Sequence, residues 1–135
     1  MESDYQQACE DIIALLNRTK AASIAIAEEQ GLTHMQVFVL YSIHLRGELA
    51  MGKLASFLHC DASNVTGLVD RMVAQQLVIR RESKQDRRTK TLDLTDKGRR
   101  TIESVMVALP KRLGCDRLTA DERQTLHTII QKITR

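Results

Sequence analysis

Hydrophobic positions along the chain recur mostly at helical spacing. From Asp4 to Gln30, Ile12, Leu15, Leu16, Ala22 and Ile26 follow a helical three-and-four pattern, which lays one apolar stripe along a long helix that Gly31 is placed to end. Thr33 and Gln36 have the spacing of a capping box, whose side chains satisfy orphan amides. Met35, Val37, Leu40, Tyr41 and His44 then continue a second helix, closed by Gly47. Around Lys53 to Leu58 a short third helix is expected to bury Leu54, Phe57 and Leu58. Asp61 offers an N-cap oxygen to a fourth helix that runs to about Gln75. The third and fourth helices, joined by His59, Cys60 and Asp61, form a candidate helix-turn-helix.

The fourth helix divides sharply into two faces. Val65, Leu68, Val69 and Met72 sit at i, i+3, i+4 and i+7 and face a core, leaving Ser63, Asn64, Thr66, Gly67, Asp70 and Arg71 outward. A small, polar outward face suits a helix that enters a DNA major groove, where short donors and acceptors meet base edges. Taken alone, it reads first as an ordinary solvated face. The next segment favours the first reading. Leu77, Val78 and Ile79 lead out as a strand, Lys84 to Thr89 is a polar turn, and Lys90 to Leu94 alternates with period two as a returning strand does. A two-stranded hairpin is not stable alone, so it packs beside the helix-turn-helix and the whole reads as a winged helix. Asp86 beside Arg87 and Arg88 is expected to grip and aim a guanidinium through a charge-assisted bond, against the simpler reading of a disordered charged loop.

Thr95 is an N-cap candidate for a fifth helix carrying Ile102, Val105, Met106 and Leu109, which Pro110 should bend or stop. Thr119 and Glu122 form a second capping box, and Leu126, Ile129, Ile130 and Ile133 stripe a last helix. Two striped terminal helices exceed what a small winged-helix core can hide. They either pack on each other and on a second copy, or both close one monomeric core.

The chain has 135 residues, enough for one domain that covers roughly 68% of its unfolded surface without a disulfide or metal staple. Its net charge of +3 is mild, but it is unevenly spread. Arg80 to Arg100 holds nine basic and four acidic residues, net +5, whereas residues 1–30 hold six acidic and two basic, net -4. A basic block in a near-neutral chain suggests a polyanion contact. Four aromatic residues and no Trp argue against a stacking platform for single strands or RNA loops, and against a ring-lined pocket for phenolic ligands. The start, MESDYQQACEDIIALL, is acidic where a secretory signal would be basic, and no apolar run is long enough to span a membrane, so a cytoplasmic protein is expected. Cys9, Cys60 and Cys115 make no C-x-x-C pair and read as free thiols; His34, His44, His59 and His127 make no i, i+4 ligand pair, so neither metal nor cofactor is expected.

The run Asp61-Ala-Ser-Asn-Val-Thr-Gly-Leu-Val-Asp70-Arg71-Met72, then Leu77-Val-Ile-Arg80, then Asp86-Arg87-Arg88 followed by Leu92-x-Leu94-Thr95-x-x-Gly98, resembles the MarR family of bacterial transcriptional regulators. The resemblance spans roughly Leu32 to Ile102, and the wing is its most specific part. It implies a mainly α fold with a small β wing: a winged helix-turn-helix over 32–109, flanked by dimerisation helices in 1–31 and 110–135. It also implies a homodimer on a pseudo-palindromic operator in double-stranded DNA, and repression relieved by a small-molecule effector or by thiol oxidation. By position it places Ser63, Asn64, Thr66 and Arg71 on the recognition helix and Arg88 in the minor groove with Asp86 steering it. Arg87 and Lys90 then belong to the DNA-binding wing, Arg87 near phosphates. Two positions depart from the family's habit. Gly67 stands where a long polar or basic side chain is common, and Gln76 where a Gly often ends the recognition helix.

Cys9 falls in the region where the peroxide-sensing branch of that family carries its reactive thiol, but Glu10 and Asp11 oppose thiolate formation, so an inert and a redox-active Cys9 are both carried. Three function classes follow: a DNA-binding regulator, a winged-helix module whose basic wing binds an acidic protein partner, and a small enzyme. The third is disfavoured, since no Ser-His, Cys-His or paired-carboxylate spacing and no Gly-rich phosphate loop stands out.

Overall fold

A computed structural model describes residues 1–58 and 62–135. The elements in order are α1 (Glu2–Glu29), α2 (His34–Arg46), β1 (Leu49–Ala50), α3 (Met51–Leu58), α4 (Ala62–Ala74), β2 (Val78–Glu82), β3 (Lys90–Leu94), α5 (Asp96–Arg112), a 3-10 turn (Cys115–Arg117) and α6 (Ala120–Ile133). The mainly helical winged helix-turn-helix read from the sequence is the observed fold. The candidate N-cap Asp61, with His59 and Cys60, lies outside the described residues.

Local signals set the helix starts. Thr33 and Gln36 make the expected capping box, with the Gln36 N–H donating to Thr33 Oγ1 at 3.2 Å and the Thr33 N–H to Gln36 Oε1 at 3.0 Å. Thr95 caps α5 by accepting from the Gly98 N–H at 3.0 Å, and Thr119 with Glu122 caps α6. Each such motif ties up backbone donors that a helix start would otherwise leave unpaired.

The core gathers around α2, which packs on α1, α5 and β3. Val65, Leu68, Val69 and Met72 are all buried, as the four-position stripe required, in one cluster that also holds Leu54, Leu58, Leu40 and Ile102. On α2 the buried arc is wider than the expected stripe: Val39, Ser42 and Ile43 join Val37 and Leu40, while His44 is exposed. The reason is that α2 is covered by α1 and α5 on one side and by β3 on another.

Two expectations are corrected here. The sheet has three antiparallel strands in the order β1-β3-β2, with Leu49 opposite Leu92 and Val78 opposite Leu94. Because β3 is the central strand, Thr91 is buried as well as Leu92, and strict alternation fails there. Pro110 does not stop α5, which runs on to Arg112, the Leu113 N–H reaching the Leu109 carbonyl at 3.0 Å. An exposed proline in a helix's last turns removes a single donor, and the helix continues past it.

Two helices end in the same six-residue closure with different residues. At α1, the Leu32 N–H bonds the Ala27 carbonyl and the Gly31 N–H that of Glu28, with Gly31 at φ +70°. At α4, the Leu77 N–H bonds the Met72 carbonyl and the Gln76 N–H that of Val73, with Gln76 at φ +60°. This left-handed position is nearly free for glycine and costs a side-chain-bearing residue on the order of 1 kcal/mol. Gln76→Gly is therefore expected to raise the melting temperature by about 3 °C at fixed chain concentration. A lower melting temperature would show that the Gln76 side chain contributes more than its backbone strain costs.

Candidate nucleic-acid interface

The outward face of α4 carries Asn64, Thr66, Asp70 and Arg71, all exposed, with Gly67 among them. Ser63 lies within α4, and its side chain is outside what the structure describes. The face is fixed by the burial of Val65, Leu68, Val69 and Met72 on the other side, so the amphipathic pattern alone aims these polar groups at solvent.

The wing is tied to this helix by an ion pair, and bonds at the ends of both hold them to their neighbours. Asp70 of α4 forms an ion pair with Arg80 of β2, so the strand that leads to the wing begins beside the outward face. Lys97 Nζ donates to the Gln75 carbonyl at 2.9 Å and Thr95 Oγ1 to that of Gln76 at 2.5 Å, closing the end of α4 against the start of α5. On the far side of the sheet, the buried Thr91 hydroxyl donates to the Glu48 carboxylate, which anchors β3 to the turn between α2 and β1. Helix and wing are thus one braced unit rather than a helix with a loose arm.

The tip of the wing is an ordered turn. The Ser83 N–H bonds the Thr89 carbonyl at 2.9 Å, the Thr89 N–H the Asp86 carbonyl at 3.0 Å, and the Arg88 N–H the Asp86 carboxylate at 3.0 Å. This corrects the role expected for Asp86. Its carboxylate holds backbone, and among the described residues no ion pair joins it to a guanidinium. An Asp that bonds an amide two residues on closes a tight turn by itself, and it aims Arg88 by fixing the backbone from which the side chain projects. Arg87 and Arg88 are exposed. Lys90 pairs across the strands with Glu82 at 3.5 Å; with both side chains more than half exposed, that pair contributes little to stability.

Away from the wing, a cleft of about 470 Å³ opens between α1, α2, α3 and the end of α5, and Phe38, Tyr41 and Phe57 line it. Scarcity of aromatic residues had argued against a ring-lined pocket. Three of the four nonetheless converge on this cleft, two of them one helical turn apart on α2. His34, Met35 and Leu58 line both this cleft and a second of about 460 Å³ that reaches Asn64 and Arg71 on α4. Cys9 is exposed on α1, Cys115 is half-buried, and Cys60 lies outside the described residues. No helix among the described residues is long and apolar enough to cross a membrane.

A sequence profile described as the MarR family matches residues 32–90, the span from the start of α2 to the first residue of β3. The chain is 33% identical over 93 residues to the HTH-type transcriptional repressor MdtR of Bacillus subtilis, a match covering 69% of this chain and 60% of that protein. It is 30% identical over 121 residues to the HTH-type transcriptional regulator TtmR of Methylorubrum extorquens, covering 89% of this chain and 62% of that one. Both matches thus span somewhat less than two thirds of the relative's length. Among solved structures, YusO of Bacillus subtilis superposes with a TM-score of 0.69 at 26% identity, over 99% of this chain and 96% of that one. A mutant of Escherichia coli MarR complexed with operator DNA superposes with a TM-score of 0.73 at 22% identity over 100% and 99% of the two chains, a likeness of fold.

Proposed function

We propose that the chain, whose residues 32–90 match the MarR family profile, is a homodimeric, sequence-specific transcriptional regulator of that family that binds double-stranded DNA, most simply as a repressor. The observation that carries the reading is the wing. A backbone-closed turn holds two exposed arginines beside a recognition helix whose outward face is polar, and the Asp70–Arg80 ion pair joins the helix to the first strand of the wing. In this reading Ser63, Asn64, Thr66 and Arg71 meet base edges, Arg87 and Lys90 meet phosphates, and Arg88 enters the minor groove from a turn that Asp86 holds closed.

Dimerisation is supported by what a single copy leaves uncovered. Every residue of α6 is exposed, including Leu126, Ile129, Ile130 and Ile133. The first half of α1 likewise exposes Tyr5, Ile12, Ile13, Leu15 and Leu16, whereas its second half buries Ile26 and Ala27 in the core, so α6 and the start of α1 are the parts that a second copy would cover. Large apolar side chains left exposed along a helix in such number favour a protein contact. We assign 1–31 and 110–135 to dimerisation and 32–109 to the DNA-binding unit. The ring-lined cleft, which adjoins the one reaching Arg71, supports relief by a small apolar effector; the exposed Cys9 is the candidate thiol for an oxidative route.

Selection of bound duplexes from a random pool tests the reading. A two-fold symmetric motif with half-sites about 10 bp apart is expected, bound by two chains, with affinity falling steeply as salt rises because phosphate contacts release counterions. Recovery of no preferred sequence would overturn it in favour of a module for an acidic protein partner.

A further inference from the structure

Gly67 occupies the centre of the outward face of α4. Its neighbours one helical turn away in either direction are Ser63, Asn64, Asp70 and Arg71, and the buried residues Val65, Leu68, Val69 and Met72 lie on the opposite side. A glycine inside a helix lowers stability relative to alanine, because the unfolded chain loses more freedom on folding. Such a glycine is explained when the backbone needs a positive φ or when a neighbour leaves no room for a Cβ.

Neither explanation applies at Gly67. It is not among the positive-φ glycines, which are Gly31, Gly47 and Gly114. Among the described residues a Cβ added there would meet nothing within 4 Å, whereas one added at Gly98 would lie 2.0 Å from the Leu77 carbonyl oxygen. Dimer packing gives no reason either, since α4 exposes no large hydrophobic residue of the kind that α1 and α6 leave for a second copy. Folding alone therefore favours alanine at this position. What remains is the surface that α4 turns outward.

We propose that Gly67 is a specificity-determining residue, the point at which the backbone of the recognition helix comes closest to the base-pair edges of the operator. The proposal rests on the DNA-binding reading above. A helix with its side chains is about 10–12 Å across and the major groove about 12 Å wide, so the side chain at the centre of the facing surface sets how deeply the helix seats. With none there, α4 settles further into the groove and the base edges pack against the Gly67 Cα. Asn64 and Arg71, on the flank of the same face, then reach bases that a shallower helix would leave to water. The missing side chain is thus part of sequence reading, although it makes no hydrogen bond itself.

The test uses the full-length protein with Gly67→Ala and two duplexes, the one recovered by selection with wild type and a scrambled control. The expected result is a higher melting temperature, affinity for the selected duplex at least 10-fold weaker, and unchanged affinity for the scrambled one. Gly67→Ala binding the selected duplex as tightly as wild type, or more tightly, would overturn the proposal while leaving the DNA-binding reading intact. A wild-type protein that prefers no duplex would overturn both. Because a methyl group at this position meets nothing within 4 Å among the described residues, and the melting temperature is read beside the affinity, loss of fold does not confuse the outcome.

Discussion

Gly98→Ala is expected to destabilise the protein by about 3 kcal/mol or more, a large share of the 5–15 kcal/mol that holds an ordinary domain folded. The Cβ it adds would lie 2.0 Å from the Leu77 carbonyl oxygen and 3.0 Å from its carbon, inside the van der Waals contact of backbone atoms that have no rotamer to escape into. Retreat is blocked from several directions. The Leu77 carbonyl accepts the Thr95 N–H at 3.2 Å, Thr95 in turn caps α5 through the Gly98 N–H, and its hydroxyl holds the Gln76 carbonyl. Moving α5 outward to make room would break this stitch and lift Ile102 and Val105 from the core. Overpacking of this kind usually costs 1–3 kcal/mol where side chains can yield, and more where backbone meets backbone. Urea unfolding of Gly98→Ala beside Gly52→Ala, where a Cβ meets nothing within 4 Å, provides the measurement. Equal midpoints for the two variants would mean that the approach of α5 to Leu77 is looser than the structure has it.

That stitch also shows what a single sequence reveals and what it hides. Gly98 could be read as part of a family motif, but its reason, a backbone carbonyl 21 positions earlier, could not. The legible features are local. The capping boxes at Thr33 and Thr119 pair residues three apart, and the stripe of Val65, Leu68, Val69 and Met72 repeats within two turns, so each announces its geometry without knowledge of the rest of the chain. The misread features depend on distant partners. β1 is two residues long, too short for any period, and exists because Leu49 and Ala50 meet Leu92 and Thr91 more than forty residues on. The ring-lined cleft was missed for the same reason: a count of four aromatics says nothing about three of them converging from α2 and α3. Asp86 was read as a partner for guanidinium because opposite charges are visible in sequence, whereas the competing bond to a backbone amide depends on the turn's shape.

Arg88→Ala is expected to weaken binding to the selected operator by about 100-fold while leaving the fold, the dimer and the melting temperature unchanged. Arg88 is exposed, its backbone N–H rather than its side chain holds the turn, and it belongs to neither terminal helix, so truncating it removes nothing that folding or dimerisation uses. In the proposed complex the side chain would supply both positive charge and a planar fork that fits a narrow A·T-rich minor groove, where negative potential is concentrated. One well-placed arginine contact contributes roughly 1–3 kcal/mol, and a symmetric dimer loses two at once. Neighbouring variants separate the contributions. Arg88→Lys keeps the charge but not the fork and should recover only part of the loss. Lys90→Ala, which removes a cation already shared with Glu82, should weaken all duplexes alike and lower the salt slope by about one per site. Asp86→Ala should act through Arg88, costing operator affinity in the wild-type background and almost nothing once Arg88 is alanine. Anisotropy titrations against selected and scrambled duplexes at two salt concentrations resolve these cases, with sedimentation to confirm two chains per particle. An Arg88→Ala protein that binds the selected duplex as wild type does would remove the wing from the recognition surface and leave α4 as its sole reader.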